Sequence, residues 1–133
     1  REQITLQSAR SIAEYFMEQL RHEPQEHLML AMFDNKSMLI GEKLLSTGTS
    51  NAALISAKDI YRTALQYQAA YVVVLHNHPS GNPEPSREDI LVTRKIKACG
   101  ELLDILLMDH IIIGDNRYFS FREQDILFEK GRD

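Results

Sequence analysis

The sequence predicts an α/β sandwich built on a mixed sheet. Segments of helical period alternate along the chain with apolar runs of strand length, the pattern of helices packed on a sheet. The run Tyr71-Val72-Val73-Val74-Leu75 is rich in β-branched residues and lacks polar alternation, as expected of a strand covered on both faces. The 133 residues, 44% of them apolar, suit one domain with a substantial core. A chain of this size buries roughly 68% of its unfolded surface. A single domain over residues 1–133 is therefore expected, and its start at Arg1 also suits a segment cut from a longer protein.

The elements follow in order. Ser8 to Leu20 carries Ile12, Ala13, Phe16 and Leu20 at helical spacing. Pro24 and Gln25 break away before a strand, Leu28 to Phe33. Asp34-Asn35-Lys36 has turn chemistry, and Met38 to Leu45 should return as the second arm of a hairpin. Ser46 to Asn51 reads as a loop. Ser56-Ala57-Lys58-Asp59 resembles a capping box and opens a helix to about Gln68. The buried strand from Tyr71 runs into His76-Asn77-His78-Pro79, where proline forbids smooth continuation. Pro79 to Pro85 holds three of the four prolines and should be an ordered, turning loop. Ser86-Arg87-Glu88-Asp89 starts another helix, which Gly100 should terminate. Ile105 to Ile113 is a strand, Gly114-Asp115-Asn116 a turn and Tyr118 to Phe121 a last strand; the tail from Arg122 is uninformative.

Composition narrows the function classes. The lone cysteine, Cys99, cannot form an intrachain disulfide, which fits a reducing, cytoplasmic setting. The longest apolar run, Ala69 to Leu75, has seven residues, against the ~20 a spanning helix needs. No signal-peptide pattern opens the chain. Fifteen Lys and Arg against nineteen Asp and Glu give a net charge of −4, a poor footprint for phosphate neutralisation and hence no strong signal for nucleic acid.

The chemistry concentrates in His76-Asn77-His78, Ser86 and Asp89. Residues two apart on a strand point to one face, so His76 and His78 can aim at one point. Asp89 falls in the first turn of the helix, where the loop returns, on a face shared with Val92, Ile96 and Cys99. A carboxylate on such a face needs a partner, and a metal held by the two histidines would supply one. Two imidazoles, a carboxylate and water form the open tetrahedral set of a catalytic zinc site, with iron, manganese and nickel as competitors. The plainer alternative is that the histidines are solvated and Asp89 is only the acidic half of a capping box. His22 and His27 flank a polar turn and read as solvated, and His110, in an apolar strand, as a hydrogen-bonded core residue.

The spacing His76-x-His78-Pro79, six residues, Ser86, two residues, Asp89 resembles the motif of the JAMM (MPN+ or JAB) metalloproteases. More narrowly, HNHPSGNPEPSREDI is similar to the bacterial RadC family, as are Ser46-Thr47-Gly48-Thr49-Ser50-Asn51 and Asp109-His110-Ile111-Ile112-Ile113-Gly114. The likeness runs from the first helix to the last strand; longer RadC proteins carry a helix-hairpin-helix segment ahead of such a domain. The resemblance implies a three-layer α/β/α, cytidine-deaminase-like JAB/MPN fold holding one zinc through His76, His78 and Asp89. It also implies an upstream glutamate as general base. Glu26, fifty residues before His76 at the start of the first strand, fits, and Glu42, late in the second strand, competes.

The expected function is then metal-assisted hydrolysis of an amide bond, as in a metallopeptidase or isopeptidase, on a protein or peptide substrate. Glu26 would relay the proton, and Ser86 would help the metal stabilise the oxyanion unless its role as helix cap prevents it. Asn77 stands where eukaryotic JAMM proteins usually have Ser or Thr, which leaves the substrate open. A deaminase is disfavoured, because one cysteine cannot supply Pro-Cys-x-x-Cys. The letters His-Asn-His only coincide with the name of a nuclease signature whose residues are dispersed. A non-catalytic MPN-type interaction module, or an accessory domain in DNA repair as the family name suggests, are the alternatives. The full ligand set argues against the first and the acidic balance mildly against the second.

Overall fold

A computed structural model describes residues 8–48 and 56–128. Helix α1 (Ala9–Leu20) precedes a hairpin of β1 (Glu26–Phe33) and β2 (Leu39–Gly48); α2 (Ala57–Gln66), β3 (Tyr71–Asn77), α3 (Arg87–Leu103), β4 (Leu106–Ile113) and β5 (Tyr118–Ser120) follow. The five strands form one mixed sheet in the order β2-β1-β3-β4-β5. The pair β3–β4 is parallel and is joined through α3, while the other neighbours are antiparallel. The α/β sandwich is as expected. The side chains of Ile12, Ala13, Phe16 and Leu20 pack α1 on the sheet face formed by Met29, Ala31, Phe33, Val73, Leu75, Ile111 and Ile113. The opposite face, carrying Leu28, Leu30, Met32, Val72, Val74 and Ile112, is covered by α2 and α3 through Ile60, Tyr61, Ala64 and Ile96. Because both faces are covered, β3 can carry an unbroken apolar run, and Val72 to Leu75 have no exposure.

Three expectations need correction. Ser46 to Gly48, expected as loop, continue β2, because Gly48 pairs with Glu26 and Ser46 with Leu28; residues 49–51 of that loop lie outside the described residues. Gly100 does not end α3. The helix runs on to Leu103 and stops where Asp104 adopts a left-handed φ of 57°. Gly100 is instead a point of close packing: a Cβ there would lie 2.5 Å from the Ile105 carbonyl and 2.5 Å from the Tyr61 hydroxyl. That hydroxyl donates to the Ile96 carbonyl at 2.9 Å, tying α2 to α3. Gly100→Ala should therefore lower stability by about 1–3 kcal/mol despite alanine's better helix propensity. Urea denaturation checks this, and a stabilised variant would refute the packing account. Lastly, Ser56 caps α2 by accepting from the Asp59 N–H at 3.2 Å, but the Asp59 carboxylate pairs with Arg62, so only half of that box forms.

Among the described residues no helix is long and apolar enough to cross a membrane.

Candidate metal centre

The site forms at one end of the sheet, where the end of β3 meets the start of β1 and the first turn of α3. Strand alternation turns His76, with Val72 and Val74, toward α3. His78 follows on the same side, just past the strand. Its N–H donates to the Ile113 carbonyl at 2.9 Å, and the chain then turns so that the Gly81 N–H reaches the His78 carbonyl. The loop leans on the β4–β5 turn: the Asp115 N–H donates to the Gly81 carbonyl, and a Cβ on Gly114 would sit 2.4 Å from that oxygen. A glycine at position 114 is thus what lets the loop lie down and deliver Ser86 and α3 beside the histidines.

Asp89 arrives as expected. Ser86 and Asp89 form a reciprocal capping box: Ser86 Oγ accepts from the Asp89 N–H at 3.0 Å, and Asp89 Oδ2 accepts from the Ser86 N–H at 2.8 Å. The buried face of α3 consists of Asp89, Thr93, Ile96 and Gly100, with Val92 and Cys99 only flanking it, so the face lies about one position from the expected one. Asp89 Oδ1 is 3.4 Å from His76 Nε2, Asp89 Oδ2 is 3.2 Å from His78 Nε2, and the two Nε2 atoms are 3.2 Å apart. Glu26 completes the group, offering a carboxylate oxygen within 4.8 Å of ligand atoms of both histidines. It sits there because Leu28 pairs with His76; two residues earlier on β1 lies opposite two residues later on the other strand.

The same register separates Glu42 from the histidines. Glu42 pairs with Ala31, whose side chain faces α1, so Glu42 lies on the other side of the sheet from the histidines. The glutamate beside the histidines is Glu26. Ser86 is exposed and its oxygen serves as the α3 cap, as the sequence allowed.

Electrostatics distinguish the members. Burial pushes the Asp89 carboxyl up, but the adjoining His76 and His78 rings and the hydrogen bond from the Ser86 N–H outweigh it, and the carboxyl titrates well below the usual range. Burial lowers His78, yet Asp89 and the Asn82 carbonyl raise it further than burial lowers it. Burial raises Glu26 above its ordinary value, Asp89 adds to the rise, and the neighbouring His76 and His78 pull in the opposite direction. A raised carboxyl next to two imidazoles suits a proton acceptor working near neutrality.

Two residues of the site were not recognised in the sequence as parts of it. Asn77, between the histidines, turns to the opposite face and clamps the entrance of β1. Its Oδ1 accepts from the His27 N–H at 2.6 Å, and its Nδ2 donates to the Gln25 carbonyl at 2.9 Å, which brackets Glu26 on both sides. His27, expected to be solvated, is largely buried as a result, and its ring meets Glu23 Oε1 at 2.9 Å. His22 is at the surface, receiving a hydrogen bond from Arg21. His110 is fully buried and hydrogen-bonded, as expected of a core residue, but its partner is His76, Nε2 to Nδ1 at 2.7 Å. No periodicity signals this contact, because a bulge in β4 creates it. Val72 pairs with Leu107 and Val73 with Asp109, so Met108 is an extra residue that turns His110 toward α3.

The residues fit a metal ion. Atoms bound tetrahedrally at ~2.0–2.1 Å lie about 3.3–3.4 Å apart, close to the 3.2–3.4 Å among His76 Nε2, His78 Nε2 and the Asp89 carboxylate. The chemistry agrees: the 2.9 Å contact of His78 Nδ1 with the Asn82 carbonyl must be an N–H donation, which leaves the lone pair of a neutral ring at Nε2, facing the site.

A sequence model described as the RadC-like JAB domain matches residues 6–126. Among curated proteins, a UPF0758 protein of Clostridium perfringens is 41% identical over 125 residues, covering 94% of this chain and 55% of that protein. A UPF0758 protein of Thermotoga maritima is 43% identical over 119 residues, and one of Bacillus cereus 37% over 120, each covering 90% of this chain and 53% of the relative. The chain thus spans about half the length of the curated relatives it matches. Their names carry no activity.

Proposed function

The chain belongs to the RadC-like JAB domain family, and on that premise we propose that it is a metal-dependent hydrolase of amide bonds in a protein or peptide. The metal is zinc, held by His76, His78 and Asp89. What supports the reading is the convergence of these three side chains with Glu26 beside them. When bound, a divalent metal supplies Lewis acidity, polarising a carbonyl and acidifying water. Glu26 takes the proton from the attacking water and delivers it to the leaving amine, a role its raised pKa suits. The Ser86 hydroxyl has its oxygen engaged by the Asp89 N–H, while its proton is free to donate to the developing oxyanion; cap and catalytic roles are compatible on these terms. The buried side of the site, His76 and Asp89, fixes the ligands. Its more open side, with His78 and Glu26 part-exposed, admits substrate. The completeness of the set favours a hydrolase over a non-catalytic interaction module.

Metal analysis of purified protein tests this. Wild type prepared without chelator should hold about one zinc per chain, Asp89→Ala should lose it, and Glu26→Gln should keep it while losing hydrolysis of peptide substrates. A wild type that holds no metal sinks the proposal.

A further inference from the structure

The hydrogen bonds behind His76 fix the placement of their protons. Thr93 Oγ1 donates to the Asp89 carbonyl at 2.6 Å. A hydroxyl has one proton, so the contact between Thr93 Oγ1 and His110 Nδ1 must be an N–H donation from the imidazole. The His110 ring is fully buried and stacked on Phe121, where the uncharged form is favoured. With its proton on Nδ1, a neutral His110 has only a lone pair at Nε2. The 2.7 Å contact with His76 Nδ1 therefore carries the proton of His76. His76 is left with its lone pair at Nε2, the atom that faces His78 and Asp89.

We propose that Thr93 and His110 are positioning residues that lock His76 in the Nδ1–H tautomer, so that Nε2 stays open to a cation; this rests on the metal-site reading above. Asp89 then acts at both ends of one circuit. Its carboxylate faces the site, and its peptide carbonyl, an acceptor that cannot reverse, anchors the relay through Thr93 and His110 to the ring of His76. The bulge at Met108 is the backbone device that brings β4 into the circuit.

Thr93→Val, nearly isosteric, tests the relay. His110 loses its acceptor, its proton moves to Nε2, and His76 is driven to the Nε2–H form that blocks the site. Long-range 15N–1H spectra of histidine-labelled, metal-free protein should show His76 protonated at Nδ1 in wild type and switched toward Nε2 in Thr93→Val. Zinc affinity, measured by competition with a chromophoric chelator, should fall about 10- to 100-fold in the variant. Thr93→Ser should restore both readouts, and His110→Gln, which can offer an acceptor near Nε2, should retain zinc where His110→Phe loses it. A folded Thr93→Val protein with an unswitched His76 and unchanged affinity would overturn the relay. A wild type that takes up no zinc would refute the metal reading, while the metal-free spectra would still decide the tautomer.

Discussion

Asn77→Ala should destabilise the protein by about 3 kcal/mol and set Glu26 adrift while leaving both imidazoles in place. Its side chain supplies the acceptor for the His27 N–H and a donor to the Gln25 carbonyl, on the two sides of Glu26. Alanine leaves those part-buried groups unpaired, at about 1–3 kcal/mol for each group that water does not reach. The stability change is read from urea denaturation, and the local one from hydrogen exchange at the His27 amide, which should exchange much faster than in wild type. Zinc retention should survive, because His76, His78 and Asp89 do not depend on this clamp. On the proposed hydrolase reading, hydrolysis should drop by about 100-fold, the usual scale for a proton-transfer group displaced by an ångström or so. An unchanged His27 exchange rate would show that Asn77 holds nothing.

The second large effect is on stability against pH in the metal-free protein, where two buried aspartates act in opposite senses. Asp89 titrates in the folded state well below its unfolded value, so its contribution is present above about pH 4 and is lost as pH falls. Asp109 is the reverse. Burial pushes its carboxyl up to about 6, against hydrogen bonds from Ser120, the Arg122 N–H and the His110 N–H that pull it down. Its contribution is therefore present below about pH 4 and lost as pH rises through about 6, a difference of ~3 kcal/mol. His78, raised by Asp89, adds a limb in the same direction as Asp109, also lost as pH rises. Urea unfolding across the acid and neutral range should show Asp89→Asn with a weakened acid limb and Asp109→Asn with a flatter decline toward neutrality. Asparagine at 109 keeps an acceptor for the two N–H groups and can donate to Ser120, so the variant should fold. An Asp109→Asn profile that parallels wild type would show that this carboxyl stays ionised in the folded protein throughout the range.

What the sequence reveals of this molecule is what local spacing encodes. The helical stripe of α1, the apolar β3, the Ser86–Asp89 box and the two histidines on one side of β3 are all written within a few residues of one another, and each is found in the structure. What it conceals depends on partners far along the chain. Glu26 and Glu42 are equivalent until the register of β1 against β2 and β3 assigns them to opposite faces. Gly100 looks like a stop signal because a glycine near a helix end usually is one; only the packing of Tyr61 and Ile105 against it explains a glycine inside the helix. His110 sits on the wrong side of the sheet under strict alternation, and a one-residue bulge corrects that. Asn77 reads as a family variation between two histidines, whereas its bonds reach back some fifty positions to the other side of the site.

The antiparallel match of Leu28 with His76 has a further consequence. Sliding β1 by a single residue would turn Glu26 away from α3 and carry the apolar stripe of β1 to the opposite layer. Such a molecule could still be compact and rich in helix and strand, and circular dichroism would barely distinguish it from the native one. Glu26 would nevertheless be parted from His76, His78 and Asp89. On the proposed hydrolase reading, the turnover of a refolded preparation per mole of bound metal would serve as a census of chains whose strands have met in the right phase, a quality that bulk secondary-structure signals do not register.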